Sequence, residues 1–419
     1  MKKLIAILLA LTLAVSLFGC KGQEEQKNDP ATSGTTGTTG PTSSTTKPSE
    51  PSEPVEFKSY SGTDEQAIAA RLENVATVGG VPLTNGQLQL YYWMGVYSFM
   101  SGEYGSYASF LGLDYAQPLD KQAVSGSDES WQEFFLDDAL ATWHTYQALT
   151  LAAKEEGIKL PESLQKDLDG LYELLEKSAK EEKYESVDAM IQADAGAGCT
   201  GEDYLVYTEG YYYYMAYLMD KTEKLDVTQA DIDAYFTEHE KELSESKITK
   251  ESGDVYDVRH ILISPKGGTK DSSGNTTYSD AEWEACRAEA QALLDQWKAG
   301  EATEETFAKL AMEHSTDPGS KDEGGLYEDL NKDTNFVKPF KDWYLDESRQ
   351  VGDTGLVASD YGYHIMYLSS VEPQWIAHCR DAIIGESLSA AITAAQEKYP
   401  MEVDYDKIVL AVVSLMEKS

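Results

Sequence analysis

Basic residues are scarce in this 419-residue chain: 34 Lys and Arg face 73 Asp and Glu, a formal net charge of -39 at pH 7. Phosphate contacts require clustered Lys and Arg, so the shortage excludes a nucleic-acid surface. The acidic excess reads as a well-solvated exterior that suits basic clients. Cysteine is scarce too, and Cys199, Cys286 and Cys379 form neither a CxxC pair nor a zinc-ligand spacing. No metal site, cofactor or redox motif follows from them. Being odd in number, they leave at least one thiol unpaired within a monomer, and a disulfide between Cys199 and Cys379 stays open beside packed free thiols. The apolar run at the N-terminus, residues 4–17, falls short of the roughly 20 residues that a spanning helix needs.

That run has another reading. Met1-Lys2-Lys3 supplies a positive start, the apolar stretch comes next, and Leu17-Phe18-Gly19-Cys20 stands where cleavage occurs, so residues 1–20 have the layout of a signal peptide. The L-x-G-C pattern resembles the bacterial lipobox, which implies a diacylglyceryl group on Cys20 and an extracytoplasmic protein anchored to the lipid membrane. Two acyl chains, at about 0.8 kcal/mol per buried methylene, hold a protein where one is marginal. Residues 21–58 are dominated by Thr, Ser, Gly, Pro, Glu and Lys and have nothing to build a core from. As an extended linker they lift the folded domains on the order of 100 Å from the lipid.

Residues 59–250 read as mostly helical. VATVGGVPLT, residues 75–84, predicts a strand pair around Gly79-Gly80, and Thr84 with Gln87 predicts a capping box for the next helix. Apolar stripes run through Leu88, Tyr91 and Tyr92, then through Trp131, Phe135, Leu140 and Trp143 to a stop near Gly157, with Pro161 at the first position of the next helix. Residues 211–214 are four tyrosines in a row, which cannot share one helical face, so some must be buried. Residues 226–243 read as a further helix capped by Thr228.

The period changes near residue 251. Residues 255–263 (VYDVRHILI) are a strand, 264–278 a polar loop, and Ser279 with Glu282 opens a helix that Gly300 stops. A short helix at 305–314, a Gly-rich turn at Gly324-Gly325, one or two helical turns at 340–345 and strands at 352–357 and 362–368 complete the segment. The order β, α, α, α, β, β over residues 251–372 predicts an α+β domain, an antiparallel sheet with flanking helices. Residues 373–419 return to helix, ending in a last apolar helix after residues 401–405. This tail is expected to pack on the N-terminal helices, which makes the α+β domain an insertion in a mostly helical one.

Strand alternation puts His260 on one face with Tyr256, Val258 and Leu262, and His364 with Met366 and Leu368. A single histidine on an apolar face is most often a hydrogen-bonded core residue. Two, each near the centre of a strand of one small sheet, meet if the strands pair, and an imidazole pair then fixes its own tautomers.

The stretches VRHILI (258–263), FAKLAMEHSTDPGSKDEGG (307–325) and FVKPFKDWYLDESRQVGDTGLVASDYGYHIMYL (336–368) resemble, in order and spacing, a full-length parvulin-type peptidyl-prolyl cis-trans isomerase domain. The flanking helices, opening with VATVGGVPLT, resemble the SurA-N-like chaperone part of PrsA-type and SurA-type extracytoplasmic foldases. The resemblance implies active-site histidines at His260 and His364, with Asp317 at a position that relatives fill with Cys or Asp. It also implies Leu326, Phe336 and Phe340 around the proline ring and Ser359 as a hydroxyl supporting the histidine pair. One departure is local: the family's G-G-D-L-G is here Gly324-Gly325-Leu326-Tyr327-Glu328. The loop 264–278 holds Lys266 and Lys270 but no arginine pair, which argues against selection for phosphorylated Ser-Pro or Thr-Pro.

The implied function is isomerisation of X-Pro bonds and chaperoning of secreted or cell-envelope proteins, with unfolded or partly folded chains as partners. The altered turn keeps a second expectation open, a non-catalytic holdase with a degenerate parvulin domain. A solute-binding lipoprotein, the third, lacks the repeated βα units it needs.

Overall fold

The computed structural model describes residues 57–101, 108, 111–270 and 276–413. Helices start where the sequence supplies a side-chain cap: Ser130 with Glu133, Thr228 with Asp231 and Ser279 with Glu282 each close a capping box. The described residues fall into two compact units, one running up to Lys224 and resuming at Leu388, the other spanning Leu225–Ser387.

The first unit contains β1 (Ser61–Gly62), α1 (Asp64–Ala70), β2 (Asn74–Val78), β3 (Val81–Thr84), α2 (Asn85–Ser101), α3 (Trp131–Glu156), α4 (Glu162–Glu181), α5 (Val187–Ala195) and α6 (Gly201–Lys224). Helices α2, α3 and α6 pack on one another, and Leu88, Tyr92, Trp131, Phe135, Leu140, Tyr204 and Tyr212 on them are buried. Of the four consecutive tyrosines only Tyr212 is buried, because a 100° step per residue turns its neighbours toward the rim. Pro161 is the N-cap of α4 rather than its first residue.

The second unit begins with α7 (Gln229–Glu245), β4 (Asp254–Ile263), the small hairpin β5 (Thr269–Lys270) and β6 (Thr276–Thr277), α8 (Asp280–Ala299) and α9 (Glu304–His314). It continues with β7 (Leu326–Leu330), α10 (Lys338–Tyr344), β8 (Thr354–Ser359), β9 (Gly362–Pro373) and the first part of α11 (Gln374–Lys398). Its sheet has the order β7-β4-β9-β8 with every pair antiparallel. Strand β7 is absent from the predicted order: LYEDL has little β-branched character, and the Gly324-Gly325 turn and pairing to β4 extend it instead. Helices α8 and α9 cover one face, where Ile261, Ile263 and Ile365 meet Ala290, Leu294, Trp297 and Phe307. The other face packs Val258, Met366 and Leu368 against Phe340, Trp343 and Tyr344 of α10. Burying Phe340 and Tyr344 contributes about 1.5–3 kcal/mol each.

The sequence pattern places α7 with the helical domain up to residue 250, but its apolar stripe of Ile232, Phe236 and Leu243 is covered by Trp375 and Cys379 of α11, so it belongs to the second unit. The end of the chain also departs from prediction. Instead of a last apolar helix, β10 (Met401–Val403) pairs antiparallel with β2 and β11 (Leu410–Ala411) pairs parallel with β1. Buried side chains of α2 impose this: the Val409 N–H donates to Asn85 Oδ1 at 3.1 Å and the Ala411 N–H to Gln89 Oε1 at 2.7 Å, bonds a helix would not offer. Cys199, Cys286 and Cys379 are buried free thiols, so the open disulfide does not form. The lipobox with Cys20 and the linker up to residue 56 lie outside the described residues, and among those described no helix is long and apolar enough to cross a membrane.

Candidate active site

The site grows out of the pairing of β4 with β9. Asp257 pairs with Ser370 but Val258 pairs with Leu368, so Ser369 is an extra residue in β9. The side-chain period is two, and this one-residue step puts Leu368, Met366 and His364 on the face of Val258 and His260. His260 lies opposite Met366 and His364 opposite Leu262, a diagonal that brings the two imidazole Nδ1 atoms to 3.1 Å. Both are buried, at 3% and 5% exposure, beside the apolar face that α10 covers. Phe340 stands edge-on to both rings, its centroid 5.2 Å from His260 and 5.5 Å from His364.

The other predicted residues close on this pair. Asp317 Oδ2 is 2.9 Å from His260 Nε2, and Ser359 Oγ is 2.7 Å from His364 Nε2. Phe336 stacks on Phe340 with centroids 4.8 Å apart. Leu326 is the exception. Paired with Arg259, it lies on the opposite face of the sheet, and Tyr327, paired with Val258, takes its place in the aromatic wall, 4.8 Å from Phe336. The strand period explains the exchange, since adjacent residues of β7 point to opposite faces.

Three further groups were not predicted. Ser320, 1% exposed, has its Oγ 3.0 Å from His260 Nε2 and donates to Asp317 Oδ2 at 2.6 Å. The Tyr327 hydroxyl donates to the same Oδ2 at 2.9 Å. Buried Arg259 donates from Nη1 to the carbonyls of Glu323 and Gly324 and from Nε to Glu304, pinning the turn that leads into β7. Gly325 lets that turn close: its φ is +76°, the His260 N–H donates to its carbonyl at 2.7 Å, and a Cβ there would come within 2.1 Å of the His260 oxygen. The only sequence hint to these groups is their place inside VRHILI and STDPGSKDEGGLY.

The bonds from His260, Ser320 and Tyr327 hold the Asp317 carboxyl well below the usual carboxylate range, outweighing its partial burial. Burial, aided by neighbouring His260, pushes His364 down to about 4, so it is neutral at pH 7. A carboxylate only accepts, so His260 donates from Nε2 to Asp317; with one proton on each imidazole, its Nδ1 accepts from His364 Nδ1–H and His364 Nε2 accepts from Ser359. Asp317, His260, His364 and Ser359 thus form one hydrogen-bond chain through the sheet. The site offers an aromatic wall, a neutral His364 imidazole and a half-buried carboxylate that accepts from three side chains.

Residues 242–371, under a third of the chain, match the PPIC-type PPIase domain family. No curated protein matches the chain. Among solved structures, PrsA from Bacillus subtilis aligns at 18% identity and a TM-score of 0.31, covering 66% of this chain and 89% of that one. One of the two SurA-like chaperones PEB4 and Cj1289 of Campylobacter jejuni aligns at 16% and 0.22, covering 78% and 96%. The foldase protein PrsA from Streptococcus pneumoniae aligns at 15% and 0.21, covering 66% and 90%. At TM-scores this low, none of the three extends the assignment beyond the matched residues. With the family match lying over the paired-histidine sheet, residues 242–371 are a parvulin-type peptidyl-prolyl cis-trans isomerase domain.

Proposed function

We propose that the chain is an extracytoplasmic foldase, anchored to the membrane by lipid on Cys20. In this reading a signal peptide (1–20) and a linker (from 21) precede a chaperone part, the first unit up to Lys224 and from Leu388, that holds unfolded or partly folded secreted chains, while the sheet of the second unit rotates their X-Pro bonds. The observation that carries it is the buried imidazole pair beside the wall of Phe340, Phe336 and Tyr327.

Rotation about X-Pro faces a barrier of about 20 kcal/mol because amide resonance is lost in the twisted state. No bond breaks, so the site accelerates the reaction by binding the twisted form better than either planar one. The aromatic wall grips the pyrrolidine ring. Neutral His364 and the aromatic wall keep the surroundings low in polarity, which suits a carbonyl that loses charge on twisting, and Asp317 and Ser359 fix the two rings. Proline supplies all the recognition this needs, and the client's sequence is otherwise free.

The test is cis-trans isomerisation of an Xaa-Pro tetrapeptide by the lipid-free chain from residue 21 onward. Acceleration is expected, with a fall of roughly 10 to 100-fold in a His260→Ala, His364→Ala protein. An intact protein that leaves the peptide at its uncatalysed rate but suppresses client aggregation would be a holdase instead. Cys20→Ser is expected to move the protein from the membrane fraction to the soluble one; retention on the membrane removes the anchor.

A further inference from the structure

Tyr327 stands where the family's turn pattern has no counterpart for its hydroxyl. Its ring belongs to the aromatic wall, with centroid distances of 4.8 Å to Phe336 and 5.5 Å to His260. Its hydroxyl does something the ring cannot. It donates to Asp317 Oδ2 at 2.9 Å, on the oxygen that also receives Ser320 at 2.6 Å and faces His260 Nε2 at 2.9 Å. Gly319 makes room for it, since a Cβ there would come within 2.6 Å of the Tyr327 oxygen.

We infer that Tyr327 is a positioning residue for the isomerase reaction: with Ser320 it holds the Asp317 carboxylate as a fixed acceptor, which locks His260 and His364 in single tautomers. The inference rests on the isomerase reading of this site. Three donors onto one carboxylate oxygen leave it no reason to rotate or take a proton. Burial and the adjacent carboxylate push the phenol up to about 12, so it remains a donor throughout the working pH range. With Asp317 fixed, His260 has one orientation in which Nε2 donates and Nδ1 accepts, and the order passes to His364 and Ser359. Remove the hydroxyl and Asp317 loses one of the donors that hold it in place; once it turns, Ser320 Oγ, 3.0 Å from Nε2, donates there instead, and His260 gains a second tautomer with Nε2 unprotonated and Nδ1 turned donor toward His364.

The experiment pairs kinetics with imidazole nitrogen NMR between pH 5 and 8 on the lipid-free chain. Wild type is expected to show His260 protonated at Nε2 and His364 at Nδ1. In Tyr327→Phe, which keeps the ring, mixed tautomers are expected, with kcat lowered about tenfold and KM unchanged, the loss of one hydrogen bond to a charged group. Combined with Asp317→Asn, the hydroxyl should cost nothing further, because it acts through that carboxylate. Should Tyr327→Phe fold poorly, Ser320→Ala removes another donor from the same oxygen and carries the same expectation. Unchanged single tautomers in both variants, or an additive loss in the Asp317→Asn background, overturn the inference. Because the tautomers are read without turnover, an inactive wild type would remove the isomerase reading while the NMR still decides the role of Tyr327.

Discussion

His260 and His364 face each other across a diagonal of neighbouring antiparallel strands, one pair of residues out of register, with their Nδ1 atoms 3.1 Å apart. Each ring is anchored at its far nitrogen, by Asp317 and Ser320 on one side and by Ser359 on the other. Neither histidine is fixed without the other.

That coupling sets the outcome of single and double substitutions. His260→Ala and His364→Ala are each expected to lower kcat/KM by roughly 10 to 100-fold, the 1.5–3 kcal/mol scale of a hydrogen bond tied to a charged group. The double variant should lose little more than either single one. Independent losses that multiply, measured by proline-peptide kinetics, would show two separate roles.

Stability should fall on mild acidification. His364 takes its proton near pH 4 when folded and near 6.5 when unfolded, so between those values the unfolded chain binds more protons and stability drops as the pH falls. Its full size is on the order of 3 kcal/mol, at about 1.4 kcal/mol per pH unit. Asp317 acts in the same direction at lower pH: its carboxyl is held low, so its contribution is present above the unfolded value near 3.9 and is lost below it. Urea unfolding from pH 7 to 4 should show the first slope in wild type and a flatter one in His364→Gln. An equal slope in both proteins would assign the effect to another group.

Gly325→Ala is expected to destabilise by about 3 kcal/mol or more, because the positive φ and the approach to the His260 carbonyl forbid a side chain together. Gly352, with φ +90° but nothing within 4 Å of its Cβ position, should cost about 1 kcal/mol in the same change, from strain alone. Chemical unfolding of both variants separates clash from strain.

The aromatic wall divides its labour by depth. Phe340 is fully buried against both imidazoles, and Phe340→Ala should cost about 3–5 kcal/mol of stability. Phe336 is half-buried, so Phe336→Ala should cost about 1 kcal/mol and instead raise KM for a proline peptide severalfold with kcat kept. A Phe336→Ala protein with normal KM would place the proline ring elsewhere.

Much of the α+β unit is legible in the chain itself. Strands β4 and β9 follow from alternating apolar residues, α8 from its capping box, and both histidines from their place on apolar strand faces. These are local properties, written in spacings of two to four residues. What the residues near Gly325 do is not local. LYEDL carries a weak strand signal, so only pairing with β4 makes it a strand, and only its register turns Tyr327 rather than Leu326 toward Asp317.

The tail behaves in the same way, since an apolar run such as IVLAVV is compatible with helix or strand until Asn85 and Gln89 capture its backbone. By itself the sequence determined which side chains were available to the site, the two histidines, the carboxylate and the aromatic residues, because residue type and alternation are properties of the chain. The tertiary structure alone decided that they meet. One extra residue at Ser369 sets which face of β9 looks at His260, and no pattern within a single strand records the register of its partner.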